Sequence, residues 1–321
     1  MSPSVSVIIP TLNAASEIGG LIGALEAQSL KPEEILVVDS SSDDETVSVA
    51  QGCGNVRIHV IPREDFNHGT TQHEALGMTS GDYVCFMTQD AVPADKSLLA
   101  SLVAPMEGDS SIALVSGRQL PKPGARRMEQ LVREFNYPDT PNVRGKDDVA
   151  AYGIKAFFAS DACAAYRRST YLETGGFQAV ETNEDMLMAA RLISCGHKVA
   201  YESAARVYHS HDLKPRQQYE RNRAIGRFLA IHEADLMNVA ETGEGARLVR
   251  SVAGQLLREG RLGELLAFGA DCAARLAGNR AGRRDIRKEM SAEIIDMTTS
   301  FAMERYPSKS NGRQSDLYEQ L

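Results

Sequence analysis

Short apolar runs rich in β-branched residues alternate with helical spacing patterns along the first half of the chain. The runs predict buried strands at residues 5–9, 35–38, 56–61, 83–87 and 112–116. Apolar positions that recur at helical spacing predict helices at residues 18–25, 70–78 and 97–106. Strands and helices that alternate in this way build a mostly parallel sheet covered on both faces, so the pattern predicts an α/β fold.

Polar clusters lie directly after several of these predicted strands, at residues 11–13, 39–42 and 88–90. In sheets of this kind, ligands bind in the crevice beyond the carboxyl ends of the strands. We therefore expect a ligand site at this edge of the sheet, although polar residues also follow strands in ordinary loops. Within the second cluster, Ser42 is the predicted N-cap of a helix that begins at Asp43.

The second half of the chain is less regular and then becomes helical. Residues 119–156 lose periodicity and contain four prolines, which predicts a loop region with one short helix at residues 126–135. Residues 306–321 have the composition of a frayed tail. From Lys214 onward the pattern is helical, with breaks predicted near residues 243–245, 260 and 278–279.

Composition and charge restrict the class of protein. Acidic residues outnumber Lys and Arg by 43 to 35, a formal net charge of −8, which argues against nonspecific nucleic-acid binding. The five cysteines show no paired short spacing and are typical of reduced thiols. The N-terminus lacks the pattern of a signal peptide, and no stretch approaches the roughly 20 apolar residues of a membrane span. We therefore expect a cytoplasmic protein, soluble or at most peripheral on the inner face of the plasma membrane.

Two segments of the first half carry a recognisable pair of motifs, VIIPTLN at residues 7–13 and ILVVDSSSDD at residues 35–44. In this order they resemble the opening of the large inverting glycosyltransferases of family 2. The resemblance covers about residues 4–235. It implies a nucleotide-sugar-dependent enzyme with the GT-A fold, in which helices cover both faces of a mostly parallel central sheet.

The resemblance divides the chain into a catalytic domain and an appendage. Residues 1–235 are the expected catalytic domain, in which residues 1–118 bind the nucleotide sugar and residues 119–235 bind the acceptor. Residues 236–321 are the expected helical C-terminal segment. A Rossmann oxidoreductase is excluded because no Gly-x-Gly-x-x-Gly follows the first strand.

The nucleotide base and ribose of the donor are the expected ligands of the first two strand ends. In the family this role falls to the loop after the first strand and to the Asp after the second, here Thr11, Asn13 and Asp39. A carboxylate such as Asp39 accepts a hydrogen bond from the ring N–H of uracil or thymine alike. The alternative for Asp39 is a structural carboxylate in the turn that ends the strand.

A further pair of motifs narrows the donor sugar. FNHGT at residues 66–70, combined with TQDA at residues 88–91, resembles the rhamnosyltransferases of bacterial cell-surface polysaccharide assembly, whose donor is dTDP-L-rhamnose. Phosphate contact is expected from His68 and from backbone amides at a helix start, although an isolated His there is more often a capping or packing residue. The resemblance assigns these residues to the donor site: Asn67, His68, Gly69 and Gln89.

A divalent metal ion is implied by the segment at residues 88–90, which stands where the family has Asp-x-Asp. Mg²⁺ or Mn²⁺ would neutralise the diphosphate as it leaves. This chain keeps only the last acid, Asp90, because Thr88 occupies the first position. His209 and His211 follow a predicted strand and alternate onto one face, and one of them is expected to complete the metal shell. Further downstream, Arg216, Arg221 and Arg223 are candidates for phosphate contact, although most of them are expected to be solvated.

The general base is expected in the segment TNEDML at residues 182–187, which matches the Glu-Asp motif of the family. An inverting transfer needs one carboxylate to remove the proton from the acceptor hydroxyl. Asp185 is the expected base, and Glu184 is the alternate. The competing interpretation is two acids that complement the dipole at a helix N-terminus.

Several properties stay open at the level of the sequence. UDP-glucose or UDP-N-acetylglucosamine is an alternative donor, and a non-catalytic nucleotide-sugar-binding relative is an alternative to an enzyme. The acceptor is a saccharide or lipid-linked glycan without a readable motif. Residues 245–290 carry a net charge of +5, from ten Lys and Arg against five acids. Their amphipathic helices either pack on the catalytic domain or on another subunit of a homo-oligomer, or rest on anionic lipid.

Overall fold

The computed structural model describes residues 3–211, 213–239 and 243–305, with side chains described up to residue 292. The strands in these ranges form one mixed sheet. They lie at Val5–Thr11 (β1), Glu34–Asp39 (β2), Val56–Val60 (β3), Tyr83–Met87 (β4), Val92–Pro93 (β5), Ile112–Leu120 (β6), Asn142–Arg144 (β7), Cys163–Arg167 (β8) and Lys198–Tyr208 (β9).

Helices connect most of these strands and form the C-terminal part of the chain. They lie at Ile18–Glu26 (α1), Thr46–Gln51 (α2), His68–Gly77 (α3), Leu98–Gly108 (α4), Arg127–Asn136 (α5), Val149–Tyr152 (α6), Arg168–Glu173 (α7), Glu184–Ser194 (α8), Pro215–Ile231 (α9), Glu244–Arg258 (α10) and Leu262–Arg305 (α11).

The sheet has a parallel half and a mixed half. Its order is β3-β2-β1-β4-β8-β6-β9-β5, and β7 also pairs with β9. β1 to β4 run parallel, whereas β8 lies antiparallel between β4 and β6. β6 and β9 are again parallel, with β5 and β7 antiparallel to β9. The carboxyl ends of β1, β2 and β4 therefore meet at one edge, as the polar clusters predict.

Both faces of the sheet are covered, which explains the continuous apolar runs. Along β1, Ile8 packs into one buried hydrophobic cluster, while Val7 and Ile9 pack into another on the opposite face. Alternate residues of a strand point to opposite faces, so a strand buried on both sides needs an unbroken apolar sequence. The predicted α/β fold is confirmed.

Two predictions near the start of α2 and within residues 119–156 need correction. Ser42 does not cap a helix, because α2 begins only at Thr46 and the Ser42 hydroxyl instead donates to Asp39 Oδ1 at 2.6 Å. Residues 119–156 hold more than one short helix, since β6 continues to Leu120 and β7 and α6 lie within this range. The expected helix is present as α5.

The C-terminal helix α11 packs closely against α9 through glycines. A break is absent at residues 278–279, where α11 is continuous. A Cβ at Gly278 would collide with the Tyr219 carbonyl of α9, so this glycine permits close packing of the two helices. The breaks predicted near residues 243–245 and 260 are present between α9, α10 and α11. Residues 306–321 lie outside the described ranges.

Ion pairs join α9 to α11 beside the glycine contacts. Arg223 Nε lies 2.8 Å from Asp285 Oδ2, and Arg227 Nη1 lies 2.7 Å from Glu289 Oε1. Two of the five acids of residues 245–290 therefore pair with arginines of α9 rather than with the basic residues of their own segment. Among the described residues, no helix is both long enough and apolar enough to span a bilayer.

Candidate active site

A cavity of about 440 Å³ opens at the sheet edge where the predicted polar clusters meet. Its volume falls within the range of about 300–1,000 Å³ typical of small-molecule sites. The loops after β1, β2 and β4 line one side, and the first turn of α8 and part of α9 line the other. The lining contains these expected site residues: Thr11, His68, Gln89, Asp90, Glu184, Asp185, His209 and His211.

Gln89 joins the loop after β1 to the loop after β4. Leu12 N donates to Gln89 Oε1 at 2.8 Å, and Gln89 Nε2 donates to Leu12 O at 3.1 Å. Both polar ends of the amide are therefore engaged by the main chain. Gln89 fixes the loop expected to hold the nucleotide against the loop that carries Asp90.

Asp39 and Asn13 are not among the residues that line the cavity. Asp39 is fully buried, and its Oδ1 accepts hydrogen bonds from Thr11 Oγ1 (3.0 Å) and Ser42 Oγ (2.6 Å). Asn13 has a φ of 53°, and its Oδ1 accepts from the main-chain N–H of Asp43 at 2.9 Å. These bonds hold the loops after β1 and β2 together. Direct contact of Asp39 and Asn13 with the nucleotide stays a prediction.

Asn67 and Gly69 shape the start of α3 and do not line the cavity. Asn67 is the N-cap of α3, and its Oδ1 accepts from the N–H groups of Gly69 and Thr70, each at 3.1 Å. A Cβ at Gly69 would collide with the carbonyl oxygen of Gln178, so only glycine fits there. The role visible for both residues is to place His68.

His68 faces the cavity beside the first turn of α8. Its Nδ1 lies 3.9 Å from Glu184 Oε1, and its ring packs edge-on against Phe66 with centroids 4.9 Å apart. Burial lowers the pKa of His68, an effect that the nearby Asp185 opposes. The imidazole is therefore expected to be neutral at pH 7 and to act as a hydrogen-bonding group.

Asp90, His209 and His211 form a compact group after β4 and β9. One ligand atom of each lies within 4.8 Å of the others. Nε2 of His209 is 3.4 Å from Asp90 Oδ1, and Nδ1 of His211 is 3.6 Å from Asp90 Oδ2. Nδ1 of His209 is 2.8 Å from Gln119 Oε1, an oxygen that only accepts, so Nδ1 carries a proton and Nε2 is the nitrogen that faces Asp90.

The charge state of this group suits a cation. Burial opposes ionisation of Asp90, but His209, His211 and Lys122 outweigh it and hold its pKa well below the usual range. Burial, with His209 nearby, lowers the pKa of His211 to about 4, so its imidazole is neutral at pH 7. The hydroxyl of Thr88 lines the same cavity, is buried and has no hydrogen-bond partner among the described residues.

Asp185 lies in the first turn of α8, after Asn183 with a φ of 62°. The main-chain N–H of Met186 donates to its Oδ1 at 2.6 Å, and that of Asp161 donates to its Oδ2 at 3.2 Å. Burial, together with the neighbouring Glu184 carboxylate, raises the pKa of Asp185 to about 7. A carboxylate with a pKa near the working pH is well matched to general-base catalysis.

Glu184 is held by side chains on the other side of the turn. Its Oε1 accepts a hydrogen bond from Gln72 Nε2 at 3.1 Å, and burial raises its pKa. The side chain is about 91% shielded by the protein, with 9% exposed. Its hydrogen bond to Gln72 leaves Asp185 as the acid with only main-chain partners.

Comparison with known proteins places the chain in a family. The profile of glycosyl transferase family 2 matches residues 6–175. The chain belongs to glycosyltransferase family 2. It is 40% identical over 259 residues to the O-antigen chain rhamnosyltransferase RfbN of Salmonella typhimurium, across 79% of this chain and 82% of that protein. It is 38% identical over 262 residues to the O-antigen chain rhamnosyltransferase WbaN of Salmonella anatum, across 80% of this chain and 82% of that protein.

Solved structures share the fold of this glycosyltransferase at low sequence identity. A mannosyltransferase of Pyrobaculum calidifontis, solved with GDP-Man and Mn²⁺, is 18% identical with a TM-score of 0.56, across 95% of this chain and 85% of that one. Glucosyl-3-phosphoglycerate synthase of Mycobacterium tuberculosis, solved with Mn²⁺ and UDP, is 19% identical with a TM-score of 0.52, across 75% and 82%. The GT-A fold implied by the motifs is confirmed.

Asp161 is a residue of this glycosyltransferase site that the sequence analysis missed. It is buried, lines the cavity and accepts a hydrogen bond from Tyr166 Oη at 2.7 Å. Burial, with the carboxyls of Asp185 and Glu184, raises the pKa of Asp161 well above its usual range. The available signal was a lone acid in the apolar segment SDACAAY at residues 160–166.

The three downstream arginines separate in the structure. Arg221 lines the cavity at an exposed position of α9. Arg223 pairs with Asp285 on α11, and Arg216 is exposed. Arg221 is therefore the arginine of α9 placed to meet an anionic ligand.

Proposed function

We propose that this glycosyltransferase transfers L-rhamnose from dTDP-L-rhamnose to a saccharide or lipid-linked acceptor, with inversion, in cell-surface polysaccharide synthesis. The observation that carries the catalytic part is the convergence of Asp185 with the Asp90 group in one cavity. The sugar is supported by the two O-antigen rhamnosyltransferases, which align over about four fifths of the chain. The proposed donor half is residues 1–118, and the proposed acceptor half is residues 119–235.

We propose that Asp90, His209 and His211 hold a Mg²⁺ or Mn²⁺ ion. The fit rests on the low pKa of Asp90, the neutral His211 and the unpartnered hydroxyl of Thr88, which lines the same cavity. Carboxylate and imidazole are both ligands that Mn²⁺ accepts. Mg²⁺ prefers oxygen ligands, of which this group offers the Asp90 carboxylate, so the group does not by itself distinguish the two ions. When bound, the ion supplies charge neutralisation to the departing nucleoside diphosphate.

The proposed reaction moves one proton and exchanges one bond. Asp185 accepts the proton of an acceptor hydroxyl, and that oxygen bonds to C1 of the sugar as the bond from C1 to the diphosphate oxygen breaks. Attack from the face opposite the leaving group inverts the configuration at C1. Arg221 and the ring N–H of His68 are placed to contact the anionic part of the donor.

Donor choice has a direct test in thermal unfolding. Because a ligand that binds only the native state stabilises it by about 2.7 kcal/mol at 100 times its Kd, the correct donor should raise the Tm by several degrees. We expect dTDP-L-rhamnose with Mn²⁺ to give a larger shift than UDP-glucose or UDP-N-acetylglucosamine at equal concentration. A larger shift with either UDP sugar would replace the rhamnose assignment and leave the fold unchanged.

We also propose that the ends of α10 and α11 rest on anionic lipid, where a lipid-linked acceptor resides. The buried face of α10, with Val252 and Leu256, packs against α5. The outer surface carries Arg250 and Arg258, which form no ion pair with any described residue. Its exposed apolar residues are Val249, Leu257, Leu262 and Leu266.

Vesicle sedimentation tests this membrane contact. We expect the protein to bind vesicles that contain anionic lipid at low salt and to be released as the salt concentration rises. Leu266 is 77% exposed, so Leu266→Glu should reduce binding by about tenfold, the scale of one lost apolar side chain. Leu172→Glu on α7, at a position 49% exposed, is the matched control. Equal recovery with neutral and anionic vesicles would contradict the proposal and favour packing alone.

A further inference from the structure

A second cavity, of about 200 Å³, lies between β7, the end of α5 and the segment around α6. It shares no lining residue with the active-site cavity. The two are close along the chain, since Phe158 lines this cavity and Ser160 lines the active site. The cavity has room for one sugar ring but not for a nucleoside diphosphate.

Two neighbouring residues of β7, Asn142 and Arg144, line this cavity and carry buried polar atoms without a partner among the described residues. Arg144 is 3% exposed, and its Nη1 and Nη2 donate to the carbonyls of Lys155 (2.6 Å) and Phe158 (2.7 Å). Its Nε has no partner among the described residues, and neither has the buried Oδ1 of Asn142. Asn142 and Arg144 lie two residues apart on a strand, on the same face, while Val143 between them is 47% exposed.

Buried polar atoms in proteins are normally paired, so an unpaired donor beside an unpaired acceptor calls for a missing partner. A hydroxyl group is the matching partner because it accepts from Nε–H and donates to Oδ1 at once. A phosphate or carboxylate would satisfy the arginine but would leave the oxygen of Asn142 facing another acceptor. Arg144 also has no carboxylate partner in the described structure, so nothing else there competes for its free N–H groups.

Aromatic rings form the rest of the cavity wall. They are contributed by Phe135, Tyr152, Phe158 and Tyr201. Tyr152 is 41% exposed and stands at the rim, whereas Tyr201 is buried and bonded to the carbonyl of Pro138 at 2.6 Å. Apolar walls with a few placed polar groups are the usual composition of a small-molecule site. Rings that pack against the C–H face of a sugar, beside a donor and an acceptor for its hydroxyls, describe a saccharide site.

We propose that this cavity is a saccharide subsite that binds one sugar residue, separate from the residue that reacts at Asp185. The sugar belongs to the acceptor or product glycan, and this assignment rests on the proposed function. The binding of a sugar in the cavity does not depend on that function. Lys155 does not supply an anion site, because its Nζ pairs with Glu244 and lies 5.2 Å from the centre of the Phe135 ring. The subsite selects acceptors by a residue remote from the new linkage.

Saturation-transfer NMR on the full chain tests the subsite without turnover. The probes are methyl glycosides of rhamnose, glucose, galactose and N-acetylglucosamine, with inorganic phosphate as the anionic alternative. We expect transfer to at least one glycoside, and binding weakened about three- to tenfold in Asn142→Leu, the scale of one lost hydrogen bond. Tyr152→Ala at the rim should weaken the same glycoside and covers the case in which Asn142→Leu does not fold.

Val143→Ala on the opposite face of β7 is the matched control and should bind the glycoside as the wild type does. The proposal is overturned if no glycoside binds, if Asn142→Leu and Tyr152→Ala both bind the glycoside as tightly as the wild type, or if phosphate displaces the bound glycoside. Failure of the dTDP-rhamnose thermal shift would instead remove the proposed donor and leave this glycoside result unaffected. The two proposals therefore fail separately.

Discussion

Asp185→Asn is expected to lower turnover by roughly 10² to 10⁴, the range for loss of a positioned general base. The change keeps the shape of the side chain and an oxygen that can accept from the Met186 N–H. It removes the carboxylate that would take the acceptor proton. Steady-state release of the nucleoside diphosphate measures turnover, and donor binding, measured by calorimetry, should change little because Asp185 does not hold the nucleotide.

Glu184→Gln is the matched control and also tests the electrostatics of the pair. Asp185 must be ionised to act as a base, so turnover should rise with pH through its pKa of about 7. The Glu184 carboxylate raises that pKa, so Glu184→Gln should move the midpoint to lower pH while turnover stays well above that of Asp185→Asn. If Asp185→Asn has normal turnover and Glu184→Gln is inactive, Glu184 is the base. Normal turnover in both would leave the motif as a helix cap and disprove the mechanism.

The parallel half of the sheet could be predicted from sequence because three of its four strands, β1, β2 and β4, are buried on both faces. β1 and β4 each contribute residues to both hydrophobic clusters, so their sequences are mostly apolar and their positions are easy to assign. The polar residues after them then locate the edge of the sheet. The motifs at these strand ends, taken in their order along the chain, then indicated the fold and the family.

Short elements and exchanged partners were harder to predict. β7 has three residues, one of them an exposed valine and one a buried arginine, so it has no periodic pattern to detect. Ser42 is of a residue type common at N-caps, but its hydroxyl donates a hydrogen bond to the buried Asp39 instead of capping a helix. A helix break was wrongly predicted at Gly278. This glycine serves a close contact with Tyr219 of α9, and such a tertiary contact leaves no local pattern in the sequence.

The site residues also divide into those that belong to a local sequence motif and those that only the tertiary fold brings to the site. Asp90, His209 and Asp185 belong to segments with a recognisable motif, whereas Asp161 approaches Asp185 only because β8 inserts antiparallel between β4 and β6. The position of β8 between β4 and β6 cannot be predicted from the spacing of residues along the sequence. Asn67 and Gly69 belong to a motif as well, yet the contacts visible for them are structural, so a motif locates a site without separating its ligands from its supports.

Asp90→Ala is expected to lower turnover by at least about 10², the scale for loss of a group that stabilises charge in the transition state. Asp90 lies within reach of both His209 and His211, so its removal takes the anionic member from the proposed metal site. Binding of Mn²⁺, followed by EPR without substrates, should weaken in step with turnover, and the lost turnover should not return at saturating donor. Asp147→Ala, at an exposed aspartate in the turn Lys146–Asp148, is the control and should behave as the wild type. Full activity of Asp90→Ala, or of the wild type in excess chelator, would show that the carboxylate holds no ion that the reaction needs. Unchanged Mn²⁺ binding with lost turnover would show that Asp90 is not a ligand of the ion and would assign it to the donor instead.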